Sequence, residues 1–375
     1  MRVGLDGRYA FRAERRGIGE YVAQLLAQFA EIANDEEFFV YVDRPADLGA
    51  LRLPSDQFHI VRLDVANPLL FEEVYLPRAA THDHLDLLHL TANYGPTFVP
   101  CPTVYTVQDL IEFLRAEIGP WQIDWRHRLG RAIRQRTLPT QARRARMIIA
   151  PSQATQRDVI RVLGVPKARI RVIPYGAPQI VPADDVDDLR RDLRERGYPI
   201  PGQYFLAFAA LDPRKNGDIA VSAFRTVATS FPNAELWLVG IEDFALYPKY
   251  EEPWLRRFGY LPREDVLDLL RAATAFIFPS KYEGFGFPAL EALAAGVPLL
   301  ASNSSSIPEV VGDAGIAFPP DDADALARGM RSILDGSVDT VEMRRLGLQR
   351  AALFKWVHTA REHLEVYRSA GGGTA

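Results

Sequence analysis

The chain reads as an α/β protein made of two parallel-sheet domains of similar size, and three observations predict this. Short apolar runs alternate with longer helical patterns from end to end, as parallel strands with crossover helices do. The length of 375 residues exceeds what one hydrophobic core usually supports. The alternation also lapses once, in VPADDVDDLRRDLRERGYPIPG near residues 181–202, before it resumes. Acidic, then basic, and bounded by prolines, that stretch reads as a linker with one short solvated helix.

In the first half the candidate strands are residues 2–5, 38–42, 59–63, 85–90, 104–107, 147–150 and 170–173. Helical periodicity fills the gaps, for example over 19–32 and 153–163. The second alternation takes strands 204–210, 235–239, 275–278 and 298–301, then helices to about Arg368 and a SAGGGTA tail. The expected division is 1–180, a linker at 181–202, and 203–356. No short-period repeat or coiled coil is present. In open sheets of this kind ligands bind beyond the carboxyl ends of the strands.

Composition sets the class. Hydrophobic residues make up 48% and charged residues 25%, as in soluble globular proteins, and a formal charge of −4 gives no electrostatic reason to expect nucleic acid. The single cysteine, Cys101, precludes an internal disulfide and a cysteine-built zinc site, and fits a packed thiol in a reducing compartment. The start, MRVGLDGRYAFRAERR, lacks an apolar signal-peptide core. No window approaches the roughly 18 uncharged apolar residues of a membrane span. The expected setting is cytoplasmic, with at most a peripheral place at the inner face of a membrane.

Residues 281–298, KYEGFGFPALEALAAGVP, carry the most chemistry. They follow the apolar run Ala275-Phe276-Ile277-Phe278, a buried strand ending at Pro279. A loop then holds Glu283 beside Gly284 and Gly286. Pro288 suits the first position of a helix, and Gly296 its end. A strand, a glycine loop and a free helix N-terminus make an anion site. Glu283 precedes the helix and Glu291 lies in its first turn, eight positions apart. On one continuous helix they would sit roughly 80° and about 12 Å apart, and the loop brings them to opposite ends of one small polar ligand.

Within PSKYEGFGFPALEALAAGVPLLAS followed by SIPEVVGDAG, this pair resembles the glutamate-x7-glutamate signature of the retaining glycosyltransferases of family 4. The resemblance implies the GT-B fold, two Rossmann-like domains facing across a cleft, with a C-terminal helix (about 357–370) crossing back to the N-terminal domain after Phe354-Lys355-Trp356. It implies that Glu291 hydrogen-bonds the ribose of a nucleotide-sugar donor and that Glu283 sits near the transferred sugar. The stretch Gly284, Phe285, Gly286, Phe287 and Leu290, with the helix N-terminus, would receive the donor and its diphosphate.

Other segments join this reading. Ala209-Ala210-Leu211-Asp212-Pro213-Arg214-Lys215-Asn216 follows the first strand of the second half, and Asn216 or Asp218 can cap the next helix. Arg by bidentate geometry and Lys as a point charge suit a diphosphate. The segment looks like the family's basic phosphate loop, with Lys215 at the family lysine and Arg214 acting in place of an absent Gly-Arg pair. Arg16-Gly17-Ile18-Gly19-Glu20-Tyr21 lies between the first strand and first helix, and Gly17 and Gly19 resemble the family's loop that closes over the pyrophosphate. Asp6 and Arg8 also read as a pair that holds this loop. Phe258-Gly259-Tyr260 resembles a base-contact loop. In VYTVQDL the family commonly carries histidine where Gln108 stands, before Asp109; Gln offers a sugar neutral hydrogen bonds but no proton. Asp109 is a candidate contact to sugar or acceptor. His89 ends its strand and is expected to face the cleft.

Asp184–Asp188 and Asp321–Asp324 contain DxD spacings and read as solvated runs. Between Trp121 and Arg146 lies a dense arginine run with Trp121, Trp125, Leu129 and Ile133 at near-helical spacing. It reads equally as a contact with an anionic membrane and as a solvated helix with a core face. Gly130 and Pro139 argue against one long regular helix. The resemblance as a whole implies a metal-independent, cofactor-free transfer of a hexose, glucose- or mannose-type, from a UDP- or GDP-sugar to a saccharide or lipid-linked acceptor in cell-surface polysaccharide or glycolipid synthesis. The alternatives are a silent sugar-nucleotide-binding protein and a GT-B epimerase.

Overall fold

The computed structural model describes the chain except residues 13, 14, 16, 55, 94, 115–124, 210, 211, 241–251 and 373–375, and the side chains of 125–131 and 133. Two compact units result. The first takes in Met1–Phe113, Gln122–Gly176 and Phe354–Ala375, and the second is chiefly Ala177–Leu353.

In the first unit β1 (Arg2–Asp6) leads to α1 (Gly17–Ile32), β2 (Glu37–Val42) and β3 (Phe58–Arg62). A helical run through Pro68–Leu70, a π-turn at Phe71–Tyr75 and Leu76–His82 forms α2. Then come β4 (Leu87–Leu90), β5 (Thr103–Thr106), α3 (Trp125–Arg144), β6 (Met147–Ala150), α4 (Gln153–Asp158) and β7 (Ile170–Val172). Among the described residues the strands form a seven-stranded parallel sheet, order β3-β2-β1-β4-β5-β6-β7. Strand order reverses between β1 and β4.

The second unit runs α5 (Val186–Glu195), β8 (Gln203–Phe208), α6 (Gly217–Ala228), β9 (Ala234–Val239), β10 (Leu255–Phe258), α7 (Arg263–Ala272) and β11 (Ala275–Phe278). It continues with α8 (Phe287–Ala294), β12 (Leu299–Ser302), α9 (Ile307–Val311), β13 (Ile316–Phe318), α10 (Ala323–Leu334) and α11 (Thr340–Ala351). Its six described strands are parallel in the order β10-β9-β8-β11-β12-β13, with the reversal between β8 and β11. Apolar residues fill both faces of the central strands, as parallel sheets require: Phe205, Ala207, Ala275 and Ile277 are fully buried beneath α6 and α10. The last helix, α12 (Trp356–Gly371), returns to the first unit and packs on α1.

The expected strands all form, with ends shifted by one or two residues. Two edge strands were not anticipated, β10 (LRRF) and β13 (IAF), because one is half charged and the other three residues long. The segment taken for a linker carries α5, which is mostly solvated as expected but docks along one side. Leu193 is fully buried, Arg190 Nε donates to Ala272 O at 3.0 Å, and Arg196 pairs with Asp265 and Asp268 on α7. Within the arginine-rich segment Trp125–Arg144 is one helix, α3, that continues through Pro139, while Trp121 lies outside the described residues. An interior proline costs about 3 kcal/mol. Burial of Leu138 and Ala142, and a bond from Gln141 to Gly95 O, oppose that cost. Asp185 and Asp322, from the two acidic runs, are helix caps.

His89 is corrected most sharply. Rather than facing open space, it is fully buried beneath α12, in a network with Thr106, Tyr21, His363 and Tyr367, all fully buried. The network has one consistent direction. Thr359 O only accepts, so His363 Nδ1 donates to it at 2.7 Å, and in the neutral ring His363 Nε2 then accepts from the Tyr21 hydroxyl at 2.8 Å. Thr106 then donates to Tyr21 at 3.1 Å, His89 Nε2 donates to Thr106 at 2.8 Å, and the Tyr367 hydroxyl donates to His89 Nδ1 at 2.6 Å. Burial favours this neutral form of both rings, and in it every contact has one donor and one acceptor. Burial pushes the His89 pKa well below its usual value, aided by His363, and pushes His363 down to about 4 despite its bond to Thr359.

A depressed histidine pKa gives stability that is complete above the unfolded value near 6.5 and falls away as pH drops toward the folded value. The expected loss at pH 5 is about 2 kcal/mol for His363. Denaturant unfolding at pH 7.5 and pH 5 should show it, and His363→Gln should flatten the dependence; an unchanged midpoint would refute the neutral network.

Candidate functional site

The reversal between β8 and β11 makes the carboxyl ends of these strands the natural ligand site of the second unit. The Asp212–Asn216 segment leaves β8, and the Glu283 loop leaves β11, so both singled-out motifs converge there. A 3-10 turn at Pro213–Lys215, capped by Asp212 Oδ1 on Arg214 N at 2.9 Å, presents the two cations. Glu283 lies between them: Arg214 Nη1 donates to Oε2 at 2.9 Å and Lys215 Nζ to Oε1 at 2.7 Å. Arg214 Nε also donates to Asp212 Oδ2 at 3.0 Å. Burial disfavours the Glu283 charge, but Lys215 and Arg214 outweigh it and hold the carboxyl below its usual pKa.

The backbone around this ion cluster is tied at several points. Lys281 N donates to Arg214 O at 2.8 Å, joining the two loops directly. Asn216, in the left-handed region at φ 54°, does not cap α6 with its side chain as expected. Its Nδ2 instead donates to Pro279 O at 3.1 Å and Pro320 O at 2.6 Å. The serines after β12 hold the glutamate loop by its carbonyls: Ser302 on Ser280, Ser304 on Lys281, Ser305 on Glu283, and Ser306 on Glu283 and Phe285. Ser305 also accepts from Glu283 N at 3.2 Å. Sequence reasoning passed over these serines, whose only signal was an unbroken polar run between an apolar strand and Ile307.

Gly286, at φ 111°, is the N-cap of α8, with Pro288 in the first turn and Gly296, at φ 66°, past the end. Phe285 and Leu290 are buried, so they support the loop and helix from inside. Glu291 is the fifth residue of α8, one position further in than a helix starting at Pro288 would place it, and so just past the first turn. It is nearly buried, and Arg263 Nη2 contacts its Oε1. Tyr260, in the loop after β10, is about half exposed.

The residues expected from the first half lie in the first unit. Gln108 follows β5 and is nearly buried; its Nε2 donates to Thr91 O at 2.8 Å, and its Oε1 accepts from the Tyr175 hydroxyl. Asp109 Oδ1 accepts from Ile111 N at 3.2 Å, and its carbonyl accepts from Asn93. The helix α1 begins at Gly17, two residues before the expected start at Gly19. A Cβ on Gly19 would lie 2.6 Å from Tyr9 O, a steric reason for glycine within the fold itself, whereas Gly17, at φ 32°, has open space around it. Asp6 and Arg8 pair as expected, with Glu72 as a third member. Burial raises the Cys101 pKa to about 11, so it remains a thiol. Among the described residues no cluster of His, Cys, Asp and Glu could hold a metal ion, and no helix is long and apolar enough to cross a membrane.

Comparison with known proteins agrees with this geometry. The family described as Glycosyl transferases group 1 matches residues 192–347, and that described as Glycosyltransferase Family 4 matches residues 15–178. The chain is 29% identical to the O-antigen chain mannosyltransferase B of Escherichia coli, over 94% of this chain and 96% of that protein. Its fold is similar to that of sucrose-phosphate synthase from Thermosynechococcus elongatus (TM-score 0.75, 20% identity, 98% of each chain). It is also similar to Anabaena HepE in complex with UDP and glucose (TM-score 0.72, 18% identity, 98% of this chain and 99% of that one). The chain belongs to the group 1 glycosyltransferases and has the GT-B fold.

Ser306 is fully buried and donates at 2.8 Å to Glu283 O and 2.9 Å to Phe285 O. Ser306→Ala removes its donor from both carbonyls while Ser305 stays on Glu283 O, an expected loss of about 1 kcal/mol in chemical denaturation. A neutral substitution would mean that the loop holds itself.

Proposed function

We propose that this glycosyltransferase moves a hexose, mannose- or glucose-type, from a UDP- or GDP-sugar to an acceptor hydroxyl with retention of anomeric configuration, in the assembly of a surface polysaccharide or glycolipid. The observation that carries this reading is the buried Glu283 carboxylate bracketed by Arg214 and Lys215 beside the N-terminus of α8, at the strand reversal of the second sheet. The mannosyltransferase relative supports the sugar class and the polysaccharide setting. The UDP complex of HepE supports a nucleotide donor.

In this reading the donor diphosphate lies against Lys215 and the amide end of α8, where fixed dipoles stabilise the departing charge. Arg214 acts mainly as a brace, because its planar fork already engages Asp212 and Glu283. Lys215 has three donors and gives one to Glu283, so others can meet a phosphate. Glu283 contacts the transferred hexose and Glu291 the ribose, while Tyr260 lies near the base. The leaving diphosphate oxygen takes the acceptor proton on the same face as attack. That route needs no general base at Gln108 and assigns no role to a metal ion. Gln108 keeps one amide hydrogen and one carbonyl lone pair beyond its bonds to Thr91 and Tyr175, enough to orient a hydroxyl. Gly17, Gly19 and Asp109 belong to the acceptor and pyrophosphate side of the same reading. Exposed Arg136, Arg143, Arg144 and Arg146, on and just beyond α3, support a cytoplasmic enzyme that touches anionic lipid and lipid-linked acceptors.

Incubation with UDP- and GDP-linked mannose and glucose should release nucleoside diphosphate only when acceptor is present, and NMR of the product should show the donor's anomeric configuration. Inversion would refute the front-face route. Lys215→Met should lower turnover about 10²–10³-fold with the fold intact. Wild-type turnover in Glu283→Ala would mean that the site is not the donor site. Co-sedimentation with phosphatidylglycerol vesicles at low salt, absent with neutral vesicles, is the expected result for lipid contact.

A further inference from the structure

Glu291 sits on α8 among Ala289, Leu290, Ala292 and Leu293, all deeply buried. A carboxylate in such a setting needs a partner, and its side chain is only 11% exposed. The partner comes from another element. Arg263, the first residue of α7, follows directly on the loop that carries Tyr260, and its Nη2 contacts Glu291 Oε1. The arginine is 58% exposed, so one guanidinium reaches from solvent onto a nearly enclosed carboxylate.

We infer that Arg263 is a positioning residue for the nucleotide ribose, an inference that rests on the donor-site reading of Glu291. The terminal torsion of a glutamate is broad, and a carboxylate offers about four lone-pair positions. The Arg263 contact occupies Oε1 and restrains the group's rotation, which leaves Oε2 aimed for a ribose hydroxyl. Because Arg263 starts α7 immediately beyond the Tyr260 loop, it also links the position of that loop to the carboxylate. The acidic groups nearest in sequence, Glu264 and Asp265, occupy the same first turn, and Asp265 is engaged by Arg196 and Tyr198. Among these first-turn residues only Arg263 carries the charge that can pair with Glu291.

The test is calorimetric binding of UDP and GDP, with their 2′,3′-dideoxy forms, to wild type and to Arg263→Ala, Arg263→Lys and Glu291→Ala. Thermal unfolding verifies that each variant is folded. For whichever nucleotide binds wild type, Arg263→Ala should weaken the ribonucleotide about tenfold and leave the dideoxy form within about twofold, with partial recovery in Arg263→Lys. Glu291→Ala should abolish the ribose preference altogether. Equal weakening of both forms would overturn the inference in favour of a base or phosphate contact. Unchanged or tighter ribonucleotide binding would overturn it by making Arg263 idle or a competitor. Intact ribose preference in Glu291→Ala, or no binding of either diphosphate to wild type, would instead remove the donor-site reading beneath it.

Discussion

The ionised, buried carboxylate of Glu283 is the constraint around which the second unit's ligand end is organised. A carboxylate that is mostly removed from water is tolerated only when opposite charge and hydrogen bonds replace its hydration. Here the replacement is supplied by Arg214 and Lys215, 69 and 68 positions earlier in the chain, so the loops after β8 and β11 must stay in register with each other. The auxiliary bonds make sense in that light. The Lys281–Arg214 backbone bond, the Asn216 amide and the serines after β12 all restrict the two loops whose separation the ion cluster depends on. Losing one partner would leave a buried charge uncompensated, a physical reason for so many polar groups to converge on so short a loop.

Beneath α12 polar groups are buried by the opposite strategy, although Asp6, Arg8 and Glu72 elsewhere in the first unit form a buried ion cluster. Tyr21, His89, Thr106, His363 and Tyr367 carry no charge, and their bonds run in one direction to end on the Thr359 carbonyl. Each ring nitrogen has a fixed role, so the packing of α12 on α1 is specified by hydrogen-bond direction as well as by shape. Burying neutral groups in a complete network avoids the desolvation cost of charge. It also makes the docking of α12 depend on tautomers that acid would disturb, whereas the Glu283 cluster depends on ionisation that neutral pH favours.

The sequence made the parallel sheets legible because central strands buried on both faces are continuous apolar runs, such as Ala275-Phe276-Ile277-Phe278. The loop–helix junction at Pro288 and the stop at Gly296 were legible for a similar reason, since local backbone geometry demands those residues. What escaped was decided at a distance. The edge strands β10 and β13 are paired on one side only and can be charged or very short. The surroundings of His89 are set by Tyr367, 278 positions later, and no local pattern could reveal them. The docking of α5 depends on Asp265 and Asp268 of α7, and the helix through Pro139 on burial of Leu138 and Ala142. At the candidate site, residue types that bear charge were found from their order along the chain. Asn216 was read only as a helix cap, and the contacts of Ser306 and Arg263 were missed because serine and a surface arginine are unremarkable one at a time.

The charge balance of the site bears on how a diphosphate would be received. Asp212, Arg214, Lys215 and Glu283 sum to no net charge, so attraction by a bare positive patch is not what the geometry offers. A diphosphate would be held by donors left over after internal pairing and by the amide end of α8, with Gly286 at φ 111° turning the chain into the helix. Such an arrangement binds weakly where charge is diffuse and more strongly where charge concentrates on one oxygen, because fixed dipoles and a braced cation do not need to reorganise as a bond to phosphate breaks. Internal pairing of the cations would then favour the departing diphosphate over the intact donor. Arginine in the brace and lysine at the ligand follow from the same logic: the rigid fork satisfies two carboxylates at once, and the compact ammonium can hold one carboxylate while turning its other hydrogens outward.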